Sequence, residues 1–342
     1  MKTILVTGGA GFIGSNFIQY MLKHYTYRII NLDALTYAGN LDNLKEVEQF
    51  QNYTFVHGDI RDRALLDKLF KENEIDTVIN FAAESHVDRS IDEPEVFLTT
   101  NILGTEALLD TAKKYWNVSP EDRYSRTYKS GVKFIQISTD EVYGTLGKEG
   151  MFTEMTPLAP NSPYSASKAS ADMMVRAYHE TFGMPINITR CSNNYGPHQH
   201  TEKLIPLMIN RCQKGLELPV YGDGMQIRDW LYVEDHCRAI DVVLHKGQDG
   251  EVYNIGGNNE KYNIDIVKLI IDVLNQSEEL ITYVKDRPGH DRRYAIDNTK
   301  ITTQLGWQPL YTFEEGIQKT IEWYMKMSGE GYEKEKNTRL SN

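Results

Sequence analysis

Short apolar runs alternate along the first half of the chain with longer stretches whose apolar residues recur at helical spacing. The runs lie at 4–6, 28–33, 53–59, 77–83, 132–137 and 185–190, and each ends where glycine or polar residues begin. That is the mark of buried strands. Helical spacing covers 12–23, a stretch opening near Asp62, and 164–182. In 94–114, Val96, Leu98, Ile102, Leu103, Leu108 and Leu109 fall on one helical pattern and predict a single long helix. No hairpin signal interrupts the alternation. The expected fold class is therefore α/β, with a doubly wound parallel Rossmann sheet. After residue 190 the texture changes. Asn193-Asn194-Tyr195-Gly196-Pro197 reads as loop, 203–206 opens an amphipathic helix, and 219–224 with 228–232 read as short strands around a tight turn. A smaller mixed α/β carboxy-terminal substrate domain is expected there. Segment 117–131 reads as a polar surface excursion, and 326–342 as a polar tail that frays.

Composition narrows the class. At 342 residues, 40% hydrophobic and 25% charged, the chain has the profile of a globular protein with one large core or two domains. Lys plus Arg is 37 against 48 Asp plus Glu, a net charge of −11. That acidity argues against nucleic-acid binding and leaves room for a local basic pocket. Cys191, Cys212 and Cys237 lack metal-ligand spacing and fit a reducing compartment. The apolar run 4–6 is too short for a signal h-region, and no run reaches membrane-span length, so a cytoplasmic protein without a membrane partner is expected.

The first strand runs into Thr7-Gly8-Gly9-Ala10-Gly11-Phe12-Ile13-Gly14. Gly9, Gly11 and Gly14 satisfy G-x-G-x-x-G; Gly8, Gly11 and Gly14 give a second, overlapping pattern. Following a strand and opening a helix, these glycines let backbone approach a pyrophosphate at the helix amino terminus. Asp33 ends the second strand close to the spacing of a ribose-binding acid. Its alternative is a turn residue. No Arg lies between Asp33 and Lys45 to pair with a 2′-phosphate, which favours NAD over NADP. Asp59 and Ile60 end the third strand, where Asp59 either meets the adenine or caps the next helix. His86 has no partner at ligand spacing, so loop packing is expected and no metal.

The fifth strand leads into Ser138-Thr139-Asp140-Glu141-Val142-Tyr143-Gly144. Open α/β sheets bind ligands at strand carboxyl ends. Two adjacent carboxyl groups there can divide acid and base roles; the alternative is ordinary turn chemistry. Downstream, Tyr164 and Lys168 are four residues apart and share a helix face. An adjacent ammonium is expected to lower the phenol's pKa. The basic loop 287–293 has a Pro-Gly core and is suited to pairing with a diphosphate.

The glycine-rich start, Asp33 and the Tyr164/Lys168 pair together resemble the extended short-chain dehydrogenase/reductase superfamily, over 2–323. Within it, sugar-nucleotide epimerases carry a serine or threonine without an Asp-Glu pair at the central stretch. Thr139-Asp140-Glu141, the segments 35–40, 83–90 and 193–197, Arg228-Asp229-Trp230 and the loop 287–293 look instead like the dTDP-glucose 4,6-dehydratase family. The resemblance implies a tightly held NAD and a dTDP-glucose substrate. Tyr164 would take the 4-hydroxyl proton as hydride leaves C4, with Thr139 bonded to that oxygen. Glu141 would then remove the C5 proton and Asp140 protonate the departing C6 hydroxyl, with hydride returning to C6. Lys168 completes the catalytic set.

Cofactor contacts are implied for Gly8, Gly11, Phe12, Ile13, Gly14, Asp33, Leu35, Thr36, Asp59, Ile60, Ala82, Ala83, Thr100, Tyr164, Lys168 and Asn194. Substrate contacts are implied for Ser85, Thr139, Asn193, Lys203, Leu204, Pro219, Tyr221, Arg228, Asn263, His290, Asp291 and Tyr294. The expected division is an NAD-binding domain over 1–190, with 231–262 and part of 301–325 packing back onto it, and a sugar-nucleotide domain from 191–230 and 263–300. The family's usual homodimer packs the helices of 94–114 and 164–182 against their mates. The alternatives are a sugar-nucleotide 4-epimerase and a non-catalytic NAD-binding protein on the same fold.

Overall fold

The computed structural model describes residues 2–286 and 290–340, with side chains to residue 327. Its strands are β1 (Thr3–Thr7), β2 (Arg28–Asp33), β3 (Tyr53–His57), β4 (Thr77–Asn80), β5 (Lys133–Thr139), β6 (Ile186–Cys191), β7 (Asn193–Tyr195), β8 (Leu218–Tyr221), β9 (Ile227–Tyr232), β10 (Val252–Ile255), β11 (Glu260–Tyr262) and β12 (Ile281–Val284). The helices are α1 (Phe12–His24), α2 (Arg63–Asn73), α3 (Val87–Asp92), α4 (Pro94–Phe97), α5 (Thr105–Trp116), α6 (Pro163–Phe182), α7 (Leu204–Gln213), α8 (Val233–Lys246), α9 (Asn263–Val273), α10 (Thr299–Leu305) and α11 (Phe313–Leu340).

Seven strands form one parallel sheet in the order β10-β6-β5-β4-β1-β2-β3. Side chains alternate across a strand, so β1 feeds both faces. Ile4 and Val6 enter a core shared with Phe17, Ile18 and Met21 of α1 and with Ile240 and Val243 of α8. Leu5 enters the opposite core, with Leu66 of α2, Leu108 and Trp116 of α5, and Val175 of α6. The chain reverses direction across the sheet at β1, which pairs with both β2 and β4. Such a switch point leaves a crevice beyond the strand carboxyl ends. A third core, with Ile205, Met208, Trp230, Val267, Ile270, Phe313 and Ile317, organises the smaller half around α7, α9 and α11.

Four elements differ from the sequence expectation. The helix predicted over 94–114 is broken into α4, a π-helical stretch Leu98–Gly104, and α5. In that wider turn Asn101 is buried, its amide bonding the Glu84 carbonyl at 3.0 Å and Ser167 Oγ at 2.8 Å. Asn193–Tyr195, expected as loop, is a strand parallel to β9. β8 and β9 are not partners: β8 pairs with β12, and β9 lies between β11 and β7. The intervening turn makes its bond sideways, from Gly222 N–H to the Val284 carbonyl at 2.9 Å. Finally, α11 continues to Leu340 through the stretch expected to fray. The excursion 117–131 is held by a bridge between Asn117 and Tyr128. Arg287, Pro288 and Gly289 of the basic loop lie outside the described residues.

Candidate active site

The crevice is a cavity of about 380 Å³. Its floor is the β1–α1 turn. Gly8 has φ +70°, and a Cβ there would stand 2.7 Å from the Ala82 backbone nitrogen. A Cβ at Gly14 would meet the Gly8 carbonyl oxygen at 2.5 Å. Both positions therefore exclude a side chain for steric reasons, and the backbone lies bare to the cavity. Gly11 is the N-cap of α1 and offers no side-chain oxygen to the first-turn N–H groups. No acidic residue stands in that turn. These are the features of an anion cradle at a helix amino terminus.

Asp33 closes the floor. Its carboxylate accepts N–H bonds from Ala10 and Leu35, each at 2.8 Å, which orients it beside the turn. Burial pushes its pKa up, and the two backbone bonds pull it partly back. Asp59, paired with Arg61 at 2.6 Å, lines the same cavity, while Asp62 caps α2. This donor set, bare backbone amides at one end and a carboxylate some distance along, fits the pyrophosphate and ribose of NAD.

β5 delivers the reactive end. Thr139 caps the 3₁₀ turn Asp140–Tyr143, its Oγ1 accepting from Glu141 N–H at 3.2 Å and donating to Asp140 Oδ1 at 3.2 Å. Asp140 is buried, and its Oδ2 has no hydrogen-bond partner among the described residues. Burial, then Glu141, then Asp229 drive its pKa well above the usual carboxylate range, and the Thr139 bond and Arg228 oppose them only in part. Such surroundings favour the protonated form of a carboxyl group.

α6 stands opposite. A capping box starts it: Ser162 Oγ accepts from Ser165 N–H at 3.1 Å, and Ser162 N–H donates to Ser165 Oγ at 3.0 Å. Pro163 occupies the first turn. Tyr164 and Lys168 are both buried on the cavity wall. The expected lowering of the phenol's pKa is not found. Burial, followed by Glu141, pushes Tyr164 well above the ordinary phenol value. Lys168 Nζ donates to the Ile137 carbonyl at 2.7 Å, and burial lowers its pKa.

Of the residues singled out from sequence, Gly8, Gly11, Phe12, Ile13, Gly14, Asp33, Thr36, Asp59, Ile60, Ala82, Ala83, Thr100 and Asn194 line the cavity, as do Ser85, Asn193, Lys203 and the five reactive residues. Leu35 does not. It has φ +50° and packs against the core beside α1. Leu204, Pro219, Tyr221, Arg228, Asn263, His290, Asp291 and Tyr294 also stand outside this lining. Three of them form a cluster near Glu141: Arg228 lies 4.4 Å over the Tyr294 ring and donates to the Asp291 carbonyl at 2.9 Å. Glu141 in turn raises the Tyr294 pKa. Pro219 and Tyr221 lie on β8, Asn263 opens α9, and the His290 ring is 6.5 Å from that of Tyr221. Sequence reasoning missed Glu84, Arg61, Cys191 and Glu202 in the wall. Glu84 lies in the motif segment 83–90 but carries no expected role there; Arg61, Cys191 and Glu202 belong to no short motif and reach the cavity through chain packing. His86 caps α3 by accepting from Arg89 N–H at 3.3 Å.

A glycine cradle at the switch point of a parallel sheet, with a Tyr-x-x-x-Lys helix facing the buried Asp140 and its neighbour Glu141, places the chain in the extended short-chain dehydrogenase/reductase class. A family model described as GDP-mannose 4,6 dehydratase matches residues 5–320. The dTDP-glucose 4,6-dehydratase of Xanthomonas campestris pv. campestris (strain B100) is 55% identical, over 95% of this chain and 93% of its own. That of Salmonella typhimurium (strain LT2) is 52% identical, over 94% and 92%. The crystal structure of dTDP-glucose 4,6-dehydratase from Bacillus anthracis str. Ames in complex with NAD is 55% identical, with a TM-score of 0.86, covering 95% of this chain and 97% of that one. The chain belongs to the dTDP-glucose 4,6-dehydratase family.

Proposed function

We propose that this chain is an NAD-dependent hydro-lyase that converts dTDP-glucose to dTDP-4-keto-6-deoxyglucose. One observation carries the choice within its class: Asp140, buried and pushed well above the usual carboxylate range by burial and by Glu141 beside it, in the same cavity as Tyr164. A 4-epimerase has no use for a second acid–base pair, because it breaks no C–O bond.

Tyr164 is the group for the 4-hydroxyl proton, and Thr139 Oγ1 is placed to bond the same oxygen. NAD, when bound, supplies the acceptor for the C4 hydride, its return to C6, and a positive ring charge beside the phenol. Lys168 is the cation that the chain itself brings against the upward push on Tyr164. A ketone at C4 acidifies the C5 hydrogen, and Glu141 removes it. Asp140 gives its proton to the departing C6 hydroxyl, which leaves as water, and Glu141 returns a proton to C5 as the hydride returns to C6. The remaining residues of the substrate set, among them Ser85, Asn193, Lys203 and the Arg228–Tyr294 cluster, surround the nucleotide sugar. Such a product suits deoxysugar assembly of the dTDP-rhamnose type.

Leu98, Leu103 and Met173, on the π-helical stretch and α6, are 49%, 58% and 55% exposed. Apolar side chains so placed support a homodimer through these helices. The three cysteines are free and buried, which fits the cytoplasm. Among the described residues no helix is long and apolar enough to cross a membrane.

The test is incubation with dTDP-glucose and mass analysis of the product. A product lighter by one water is expected, with NAD rather than NADP released on denaturation. A product of unchanged mass epimerised at C4 would overturn the reading.

A further inference from the structure

Lys168 is a buried amine with little to keep it charged. Its one hydrogen bond among the described residues runs to a neutral acceptor, the Ile137 carbonyl. The titratable and charged groups around it are Tyr164 and Asp172 from α6, Cys191 and Arg190 from β6, and Asp140 and Glu141 from the 3₁₀ turn. Burial, then Glu141, push Asp140 toward its neutral form, and burial pushes the Cys191 thiol up to about 12. Glu141 is occupied at C5 in the reaction above.

Asp172 is different. It lies four residues beyond Lys168, on the same face of α6, and its side chain is 1% exposed. Its Oδ2 accepts from Arg190 Nε at 2.9 Å, leaving Oδ1 outside that clamp. Arg190 Nη1 donates in turn to the Tyr143 hydroxyl at 3.0 Å, and Tyr143 donates to Asn254 Oδ1 at 2.8 Å. The carboxylate is thereby fixed by three elements: α6, β6 and the turn that carries Asp140 and Glu141. Asp172 acts on Lys168 against the effect of burial, favouring the ammonium, while burial pushes the Asp172 pKa up and Arg190, then Lys168, pull it back toward the carboxylate.

We propose that Asp172 is a positioning residue for C4 oxidation: it is the fixed counter-charge that keeps the buried Lys168 ammonium charged, with Arg190 and Tyr143 holding its carboxylate in place. The proposal rests on the functional reading above for its consequence, but not for its first test. Labelling of Lys168 with an amine-reactive reagent across pH, on the full chain and read by peptide mass analysis, reports its titration without turnover. In Asp172→Asn the midpoint should fall by about 1 pH unit or more, the scale of losing an adjacent opposite charge. Asp172→Glu should restore most of it. Arg190→Met, which loosens the clamp that favours the ionised carboxylate, should lower it less than Asp172→Asn does. The paired variant Asp172→Asn/Arg190→Met leaves no unmatched buried charge, and its midpoint should also fall if the single variant does not fold.

The second test uses a Glu141→Gln background, where the reaction should stop after C4 oxidation. There the alkaline limb of reduced-nicotinamide formation should move to lower pH by the same amount with Asp172→Asn. An unchanged midpoint in folded protein overturns the proposal, as does an equal loss of C4 oxidation at every pH. Failure of the parent chain to lose water from dTDP-glucose would instead overturn the functional reading and leave the labelling result standing.

Discussion

On the turn that follows β5, Asp140 is surrounded by other acids: Glu141 and Asp229 add to burial and hold its proton on. Asp229 is itself fixed, accepting N–H bonds from Gly257 at 2.9 Å and Asn259 at 2.6 Å. On α6, across the cavity, Lys168 is equally buried but has a clamped carboxylate one turn away. Burial by itself favours the neutral form of every ionisable group. The turn reinforces that tendency for its acid. The helix opposes it in part for its amine. Two neighbouring elements thus run opposite chemistry from the same dielectric environment, and the difference lies in the sign of the fixed neighbour.

The comparison breaks most visibly at Tyr164. Tyr164→Phe keeps the ring and removes the group proposed to take the 4-hydroxyl proton. C4 oxidation should fall by roughly 10²–10⁴-fold, with NAD still bound. Stopped-flow absorbance of the reduced nicotinamide measures it; near-parent rates would move the proton to another residue.

On the turn, the effect should be equally large in a different step. Glu141→Gln should oxidise C4 and then stall, losing water roughly 10²-fold or more slowly. Asp140→Asn should impair C6–O cleavage more than C4 oxidation. Mass analysis for water loss, set beside nicotinamide absorbance, separates the steps. If both variants lost the two steps together in folded protein, the acid pair would serve the turn's structure rather than dehydration.

A smaller effect tests the sign of the turn's electrostatics. Asp140 binds its proton more tightly folded than unfolded. The stability from this excess binding is present below the ordinary carboxylate pKa and lost as pH rises toward the raised value. Asp140→Asn removes the dependence. Relative to the parent, its stability should therefore improve as pH rises from about 4 toward the raised value, as read by urea unfolding. A constant offset across that range would mean that Asp140 titrates normally.

The smallest effect belongs to the helix. Ser162→Ala deletes one half of the capping box that starts α6. It should cost about 1 kcal/mol of stability, with little change in the step ratio. A loss confined to C4 oxidation would show that the cap also sets the reach of Tyr164.

Much of this was legible along the chain because its causes are local. Strands and helices follow from apolar spacing, and the glycine turn from steric demands within a few residues. Asp33, Tyr164 and Lys168 stand at distances set by one strand or one helical turn. Even Asp172 could have been read from its place four residues after Lys168. The π-helical break near Asn101 could not, because its bonds reach Glu84 and Ser167, which are remote in sequence. The same holds for β7, a three-residue strand that exists only because β9 lies beside it.

The sequence by itself determined the order of elements, the anion cradle and the identity of the reactive side chains, all of which depend on near neighbours in the chain. Only the tertiary structure decided their protonation. Asp140 is pushed well above the usual carboxylate range because burial, Glu141 and Asp229 of β9 act on it together. Tyr164 is pushed up rather than down because burial and Glu141 act on it. Lys168 meets a carboxylate held by Arg190, which Tyr143 anchors from 47 residues away in the chain. Electrostatic free energy depends on distance and dielectric in space, and neither is written in sequence separation.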